Sequence, residues 1–313
     1  MFHMKKQRIS QERSDLFDGL PDDIIISILC KLSSTARCPS DFINILLTYV
    51  CKRLNRLGLH PLVLSRAGPK TFSIKANNWS ESTHRFLQNC VNSGNIEACY
   101  TLGMIRYYCL QGRRSGASLM AKAAMKSHAP SLYSLAVIQF NGSGGSKDDK
   151  DLRAGVALCA RAASLGHIDA LRELGYCLQD GYGVSQNVAE GRGLLIQANA
   201  RELACVLPAA VRSSSDLVTW LCQNPPPVGG CHVPAREVHP AHRFLTEWFG
   251  SRDGGSGPDV RCSHSGCGRT ETRRNEFRRC SVCGAVNYCS RGCQALDWKL
   301  RHKAECGTHG PRN

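Results

Sequence analysis

Near its C-terminal end the chain places seven cysteines and a histidine at the spacings of metal ligands: Cys262 and Cys267, Cys280 and Cys283, Cys289 and Cys293, His302 and Cys306. Four pairs give eight ligands, enough for two closed tetrahedral sites. Thiolate and imidazole are the structural ligands zinc prefers, and with every position filled none is left for a catalytic water. Cys280-Ser-Val-Cys283 is a knuckle, with Gly284 relieving the tight turn. Cys289 with Cys293, and His302 with Cys306, are four residues apart, so on a helix both members of a pair face the same way. Each of two structural Zn2+ ions would be clamped between a turn and a helix face, and spacing alone does not say which turn goes with which helix. His264, inside the first loop, is a possible substitute ligand. A segment this short cannot form an apolar core, so metal binding supplies its folding energy.

The rest of the chain must carry and position this tail. Its 313 residues suggest about two domains and permit three small ones. A hydrophobic fraction of 42% is that of an ordinary globular protein. No apolar run approaches the ~18 residues of a membrane span. The opening MFHMKKQRISQERSD has charge but no apolar stretch after it, so it is not expected to be a secretory signal, and residues 1–14 are expected to be a disordered leader. The expected location is the nucleus and/or cytoplasm, where a reducing compartment argues against a disulfide framework for the 18 cysteines. The formal net charge of +15 invites a nucleic-acid reading, but seven thiolates on two zinc ions would set seven negative charges against four positive ones. The remaining excess is spread thinly without a dense basic run, so nucleic acid is not the expected partner.

The middle of the chain repeats. EACYTLG, PSLYSLA and DALRELG align Ala98, Ser131 and Ala170 at intervals of 33 and 39 residues. Each block is followed by a second helical pattern, and Asp180-Gly181-Tyr182-Gly183-Val184 makes a glycine-rich turn in the third unit. Small residues let paired helices approach closely, and units of this size must stack to bury their faces. The Leu-Gly, Gly-Tyr-Gly-Val and Ala-Ala-x-x-Gly-His elements resemble the Sel-one-like class of the tetratricopeptide superfamily, whose helix-pair solenoids offer a concave protein-binding surface. The repeats are expected over 84–206, with Cys99, Cys109, Cys159, Cys177 and Cys205 as small buried hydrophobes. Residues 207–260 read as a helical, proline-rich segment ending in a flexible linker, with His232, His239 and His242 at the surface or in loops.

At the front, Pro21 begins a helix where its missing N–H costs nothing, and Asp22 and Asp23 complement the helix dipole. Ile24, Ile25, Ile28, Leu29 and Leu32 recur at helical spacing, and DFINILLTYV leads into CKRLNRL. Three short helices cannot bury this much aliphatic surface alone, so part of it should meet a partner. Leu20-Pro21-Asp22-Asp23, Ile28-Leu29 and Val50-Cys51-Lys52-Arg53 resemble an F-box over 15–66. About seven extra residues lie between its halves, and Leu54 stands where the family usually has tryptophan. The resemblance implies three helices that dock a Skp-type adaptor of a cullin–RING ubiquitin ligase through Leu20, Pro21, Ile28, Leu29, Val50 and Cys51.

The tail has a family likeness too. Tyr288-Cys289-Ser290-x-x-Cys293-Gln294-x-x-Asp297-Trp298, then His302-Lys303-x-x-Cys306, looks like a MYND zinc finger spanning 262–306, with 307–313 as a short tail. The resemblance implies interleaved ligands: Cys262, Cys267, Cys289 and Cys293 on one zinc, and Cys280, Cys283, His302 and Cys306 on the other. Here the first pair has four intervening residues rather than the commoner two, and one extra residue separates Trp298 from His302. Family members bind short, often proline-containing peptides, which makes Gln294 and Trp298 peptide-binding candidates. Trp298 has a second expected role, closing the small core.

No GxSxG, P-loop or G-x-G-x-x-G is present, and no signature of the SET methyltransferases that some MYND proteins carry, so no catalytic activity is expected. The expected fold class is mainly α: an N-terminal three-helix F-box-like segment, an α-solenoid of helix pairs and a small two-zinc finger. The order F-box, Sel-one-like repeats, MYND finger resembles a family of plant F-box proteins of similar length. That implies a substrate-recognition subunit of a Skp–cullin–F-box ubiquitin ligase. The alternative is a non-catalytic zinc-finger scaffold or transcriptional cofactor, favoured if the Leu20–Leu32 stripe packs inward on the repeats.

Overall fold

The computed structural model describes residues 19–39, 52–206, 238–251 and 260–307. The expected leader, Val50, Cys51 and Pro225–Pro227 lie outside the described residues.

Helix α1 (Asp22–Thr35) starts after Pro21, whose carbonyl accepts the Ile25 N–H. Two neighbouring apolar stripes run along it. Ile25 and Leu29 are buried beside α2 (Lys52–Gly58) and α3 (Pro61–Ser65), while Ile24, Ile28 and Leu32 face outward. The buried Ser33 hydroxyl donates to the Val63 carbonyl at 3.1 Å. Arg53 on α2 donates to an Asp22 carboxylate oxygen at 2.8 Å and to the Leu20 carbonyl at 2.6 Å, so the two halves of the F-box-like motif touch. Leu54 is buried in the same core.

After α4 (Glu81–Asn92) come three helix pairs: α5 (Ile96–Tyr108) with α6 (Arg113–Met125), α7 (Ala129–Asn141) with α8 (Leu152–Ser164), and α9 (Ile168–Asp180) with α10 (Val188–Val206). The small residues Ala98, Ser131 and Ala170 are fully buried, each three positions after a capping residue. Asn95, His128 and His167 accept the backbone N–H of Ala98, Ser131 and Ala170 respectively, so one capping contact recurs in every unit. Within pairs the backbones nearly touch. A Cβ on Gly116 would lie 2.6 Å from the Gly103 carbonyl oxygen, and one on Gly191 would lie 2.7 Å from that of Gly175. In the second pair Gly155 makes room for the Phe140 ring instead. The longer second interval takes in the loop 142–151, which holds a short 3-10 turn at Lys147–Asp149.

Residues 238–251 lie in the segment expected to be helical and proline-rich, and their apolar side is buried rather than at the surface. They form α11 (Pro240–Gly250), whose Ala241, Phe244, Leu245 and Trp248 are buried in the core shared by the front helices and the first pair. Phe244 meets Trp79 edge-on at 5.4 Å. His239 and His242 are therefore not loop or surface residues. His239 caps α11 and contacts Glu97, and His242 contacts the Tyr100 hydroxyl at 3.2 Å. The surrounding proline and glycine obscured that the apolar stripe of HRFLTEWF joins the core.

The finger has a two-residue antiparallel pair, β1 (Arg278–Arg279) with β2 (Asn287–Tyr288), and helix α12 (Arg291–Asp297). A π turn over Trp298–His302 and a last turn at Lys303–Glu305 continue α12. The extra residue between Trp298 and His302 falls in the π turn. A π turn holds one residue more than an α turn, so His302 still points inward.

A candidate metal centre seated on the helical repeats

The structure gathers the eight tail ligands into two clusters, Cys262, Cys267, Cys289 and Cys293, and Cys280, Cys283, His302 and Cys306, with the ligand atoms of each within 4.8 Å of one another. In the first, sulfur separations are 3.5 Å for Cys267–Cys289 and 3.7 Å for Cys289–Cys293. In the second, Cys280 and Cys306 are 4.0 Å apart, and the Cys283 sulfur is 3.5 Å from His302 Nε2. Zn–S bonds of about 2.3 Å in a tetrahedron put sulfurs about 3.8 Å apart, and a sulfur and an imidazole nitrogen about 3.5 Å apart. These separations exceed the ~2.05 Å of a disulfide and fit a four-coordinate ion of zinc's size. His264 belongs to neither cluster.

Local structure explains the convergence. Ser290 caps α12 by accepting the Cys293 N–H at 3.0 Å, presenting Cys289 and Cys293 together. The Cys262 N–H donates to the Arg269 carbonyl, and an isolated bridge pairs Arg261 with Thr270, closing the first loop. Gly284 takes the left-handed conformation that the knuckle requires and donates to the Cys280 carbonyl. Buried Asp297 accepts from the Tyr288 hydroxyl at 2.8 Å and pairs with Arg301 at 2.9 Å, fixing the helix end to the strand. Tyr288 and Asp297 close the small core. Trp298 does not, being 40% exposed and meeting His302 edge-on.

The two clusters differ in setting. All four ligands of the first are buried in the same core as repeats two and three, so this inner cluster lies between finger and solenoid. Cys283 and Cys306 of the outer cluster are half-exposed. The face of the solenoid built by α5, α7 and α9, expected to be open for a partner, is covered in part by the finger. Asn141 donates to the Cys289 carbonyl at 2.8 Å, and the hydroxyls of Tyr133 and Ser290 lie 3.3 Å apart. Arg291 pairs with Asp180 at 3.1 Å and stacks over the Tyr182 ring at 4.0 Å.

Sequence reasoning missed the residues that seat the finger. Three positions after each buried small residue stands a buried polar one, Thr101, Ser134 and Glu173, of which the last two hold the finger. Ser134 accepts from Arg269 at 3.0 Å, and Glu173 accepts the N–H groups of Gly292 at 2.6 Å and Arg291 at 3.2 Å. Burial raises the Glu173 pKa, opposed by those two amides. Arg269 is 2% exposed, with Nη1 3.5 Å from the Cys267 sulfur and 3.9 Å from the Cys289 sulfur. Burial works against its charge, but the Cys267 and Cys289 sulfurs together with the Tyr108 and Tyr100 hydroxyls outweigh it and hold the guanidinium well above its ordinary pKa. The available signal was a polar residue at one register in each aligned block: Thr in EACYTLG, Ser in PSLYSLA, Glu in DALRELG.

A cleft of about 1440 Å³ runs between the finger's helix and the solenoid, lined by Leu296, Lys299 and Leu300 on one side and Tyr100, Tyr133 and Ile168 on the other. Gln294 and Trp298, the peptide-binding candidates, do not line it. Of the adaptor-contact candidates, Pro21 and Ile28 are exposed and Leu20 is half-buried. Leu29 turns inward and is 5% exposed, because a four-residue offset from Ile25 places it on the core stripe.

Comparison with known proteins places this architecture. Residues 70–162 match the plant tetratrico peptide repeats and residues 262–306 match the MYND finger. F-box protein At1g67340 of Arabidopsis thaliana is 67% identical over 94% of this chain and 81% of its own length. F-box protein At5g50450 of the same plant is 62% identical over 98% of this chain and 91% of its own length. A Sel1 repeat protein from Oxalobacter formigenes, of known structure, is 21% identical and covers 41% of this chain and 96% of its own, with a TM-score of 0.35. The chain belongs to the family of these plant F-box proteins, with tetratricopeptide-like repeats and a MYND finger, and its two Cys/His clusters are compatible with zinc. Its homologues and its domains make it a protein-interaction adaptor; no enzymatic domain is among them.

Proposed function

We propose that this protein is a substrate-recognition subunit of a cullin–RING ubiquitin ligase of the Skp–cullin–F-box type. Its F-box is the segment 15–66. The observation that carries this reading is the outward stripe Ile24, Ile28 and Leu32, 44%, 39% and 44% exposed, on a helix whose other apolar stripe is already buried. Contiguous exposed aliphatic surface of this kind marks a protein interface. The Skp-type adaptor covers it, with Leu20 and Pro21 at its edge. A half-inward stripe does not favour a pure scaffold, since the inward residues alone suffice to pack the front helices.

In this reading the repeats and the finger together recruit an unidentified protein substrate, and two zinc ions hold the finger without taking part in chemistry. Gln294 and Trp298 are peptide contacts on the outer side of the finger. Nucleic acid and membrane are not partners, and the protein acts in the nucleus and/or cytoplasm.

The test is co-purification with a Skp-type adaptor. Wild type should be retained, and Ile28→Asp should be lost from the adaptor while keeping the wild-type circular dichroism spectrum. Failure of folded wild-type protein to bind the adaptor would leave a zinc-finger scaffold as the better description.

A further inference from the structure

The two metal clusters are unequal in charge and in surroundings. Four thiolates around a zinc(II) ion carry a net charge of −2, whereas three thiolates and a neutral imidazole carry −1. The more highly charged cluster is the inner one, whose ligands are all buried between finger and repeats. Charges of that size are tolerated in such a place only when an opposite charge is buried with them.

Arg269 supplies it. Its guanidinium is within hydrogen-bonding range of the Cys267 and Cys289 sulfurs through Nη1, while Nη2 reaches Ser134 on α7. It also lies over the Tyr133 ring at 5.8 Å. One side chain thus touches two ligands of the inner cluster and two residues of the second repeat. Its Nε has no partner, so the thiolates and Ser134 are the polar contacts that hold it. Metal-bound thiolates and guanidinium can be buried together, but neither can be buried alone at tolerable cost.

We propose that Arg269 is a positioning residue that couples metal occupancy of the inner cluster to docking of the finger on repeats two and three, making that cluster a latch between them. The outer cluster, with half-exposed Cys283 and Cys306, serves the finger alone. This rests on the reading that both clusters hold zinc. Loss of the inner ion leaves Arg269 without its counter-charge in a dry interface, and the finger disengages from α7 and α9. Loss of the outer ion loosens only the turn around His302.

The experiment uses the full chain, loaded with zinc and assayed first for metal content. Release to a chromogenic chelator is followed alongside amide hydrogen exchange of residues 129–141 and 168–180. Wild type should hold two equivalents and release one at least about tenfold more slowly than the other, with exchange in α7 and α9 rising only in step with the slow equivalent. Arg269→Met should speed the slow phase by about 10- to 100-fold, the usual effect of removing a partner of a metal ligand. Arg269→Lys, which keeps the charge, should recover part of the difference. His302→Ala should keep one slowly released equivalent and protected α7 and α9, which decides the matter even where Arg269→Met does not fold.

Release of both wild-type equivalents at one rate would overturn the coupling. So would an unchanged slow phase in folded Arg269→Met, or loss of both ions in His302→Ala. Fewer than two equivalents in fresh wild-type protein would instead remove the two-zinc reading on which the proposal stands.

Discussion

The Glu173 carboxylate, in the middle of a repeat helix, accepts the Gly292 N–H of the finger at 2.6 Å across 119 residues of sequence. It does for α12 what a capping side chain does locally, satisfying amides at the helix start that have no intrahelical acceptor. Glu173→Ala should therefore cost about 2–4 kcal/mol, since it leaves one buried and one half-buried amide without that acceptor. Glu173→Gln, which keeps one acceptor oxygen, should cost roughly half of that. Urea denaturation of the zinc-loaded protein measures both, and a wild-type midpoint for Glu173→Ala would remove this anchor from the account.

Two glycines on α10, two residues apart, predict opposite outcomes. A Cβ at Gly191 would press on the Gly175 carbonyl oxygen and the Gln179 side chain, forcing α9 and α10 apart at a cost of about 1–3 kcal/mol. At Gly193 a Cβ would meet nothing within 4 Å, so alanine there should stabilise by about 0.5–1 kcal/mol through lower chain entropy in the unfolded state. Thermal melting of Gly191→Ala and Gly193→Ala should shift in opposite directions. Shifts of the same sign would mean that the close approach of the helices is not what the glycine serves.

Leu29 and Ile28 are neighbours in sequence with contrasting roles. Truncating the buried Leu29 to alanine should destabilise the front of the protein by about 2–4 kcal/mol. The same change at Ile28 should alter stability by no more than about 0.5 kcal/mol while weakening adaptor capture. Chemical denaturation paired with adaptor pull-down separates the two. Equal loss of stability at both positions would show that the outer stripe is covered within the chain.

Glu97 carries a pH-dependent contact. Burial acts to raise its pKa, but hydrogen bonds from His128 and His239 outweigh it, and the carboxyl is lowered to about 2 from 4.5. A depressed carboxyl stabilises the fold above its unfolded pKa, and this contribution is lost as pH falls from about 4.5 towards 2. Glu97→Gln should be less stable than wild type at neutral pH, by about 2–3 kcal/mol at most for a side chain one quarter exposed. The difference between the two proteins should close across that acid window, and metal release at low pH is common to both. A difference independent of pH would assign the contact to packing rather than to charge.

Much of this architecture was legible in the sequence, for physical reasons that can be named. Ligand type and spacing at Cys280, Cys283, Cys289 and Cys293 follow from local turn and helix geometry, which sequence encodes directly. The intervals between Ala98, Ser131 and Ala170 likewise follow from close helix pairing. What stayed hidden depends on distant partners. The two stripes of α1 are both aliphatic, so Ile28 and Leu29 could not be assigned to outside and inside until α2 and α3 were placed. His128 and His167 are uncommon capping residues, and their capping role is visible only with the backbone in view. Ser134 and Glu173 lie on helices that otherwise read as core, and their polarity gains its meaning from a finger more than a hundred residues away.

The seating of the finger also has a consequence for how the chain comes into being. A ribosome makes the molecule from its N-terminus, and the front helices and first pair can assemble in part before α11 arrives to complete their core. Repeats two and three share theirs with Cys262, Phe277, Tyr288 and Cys293, which are made only after both repeats are complete. Until the finger is made, Ser134 and Glu173 lack the partners they have in the folded protein, beside uncovered apolar surface. Repeats two and three therefore complete their core only when the finger has been made and has folded around its metal. A message truncated before residue 262 would yield a protein whose middle, and not merely its end, fails to fold.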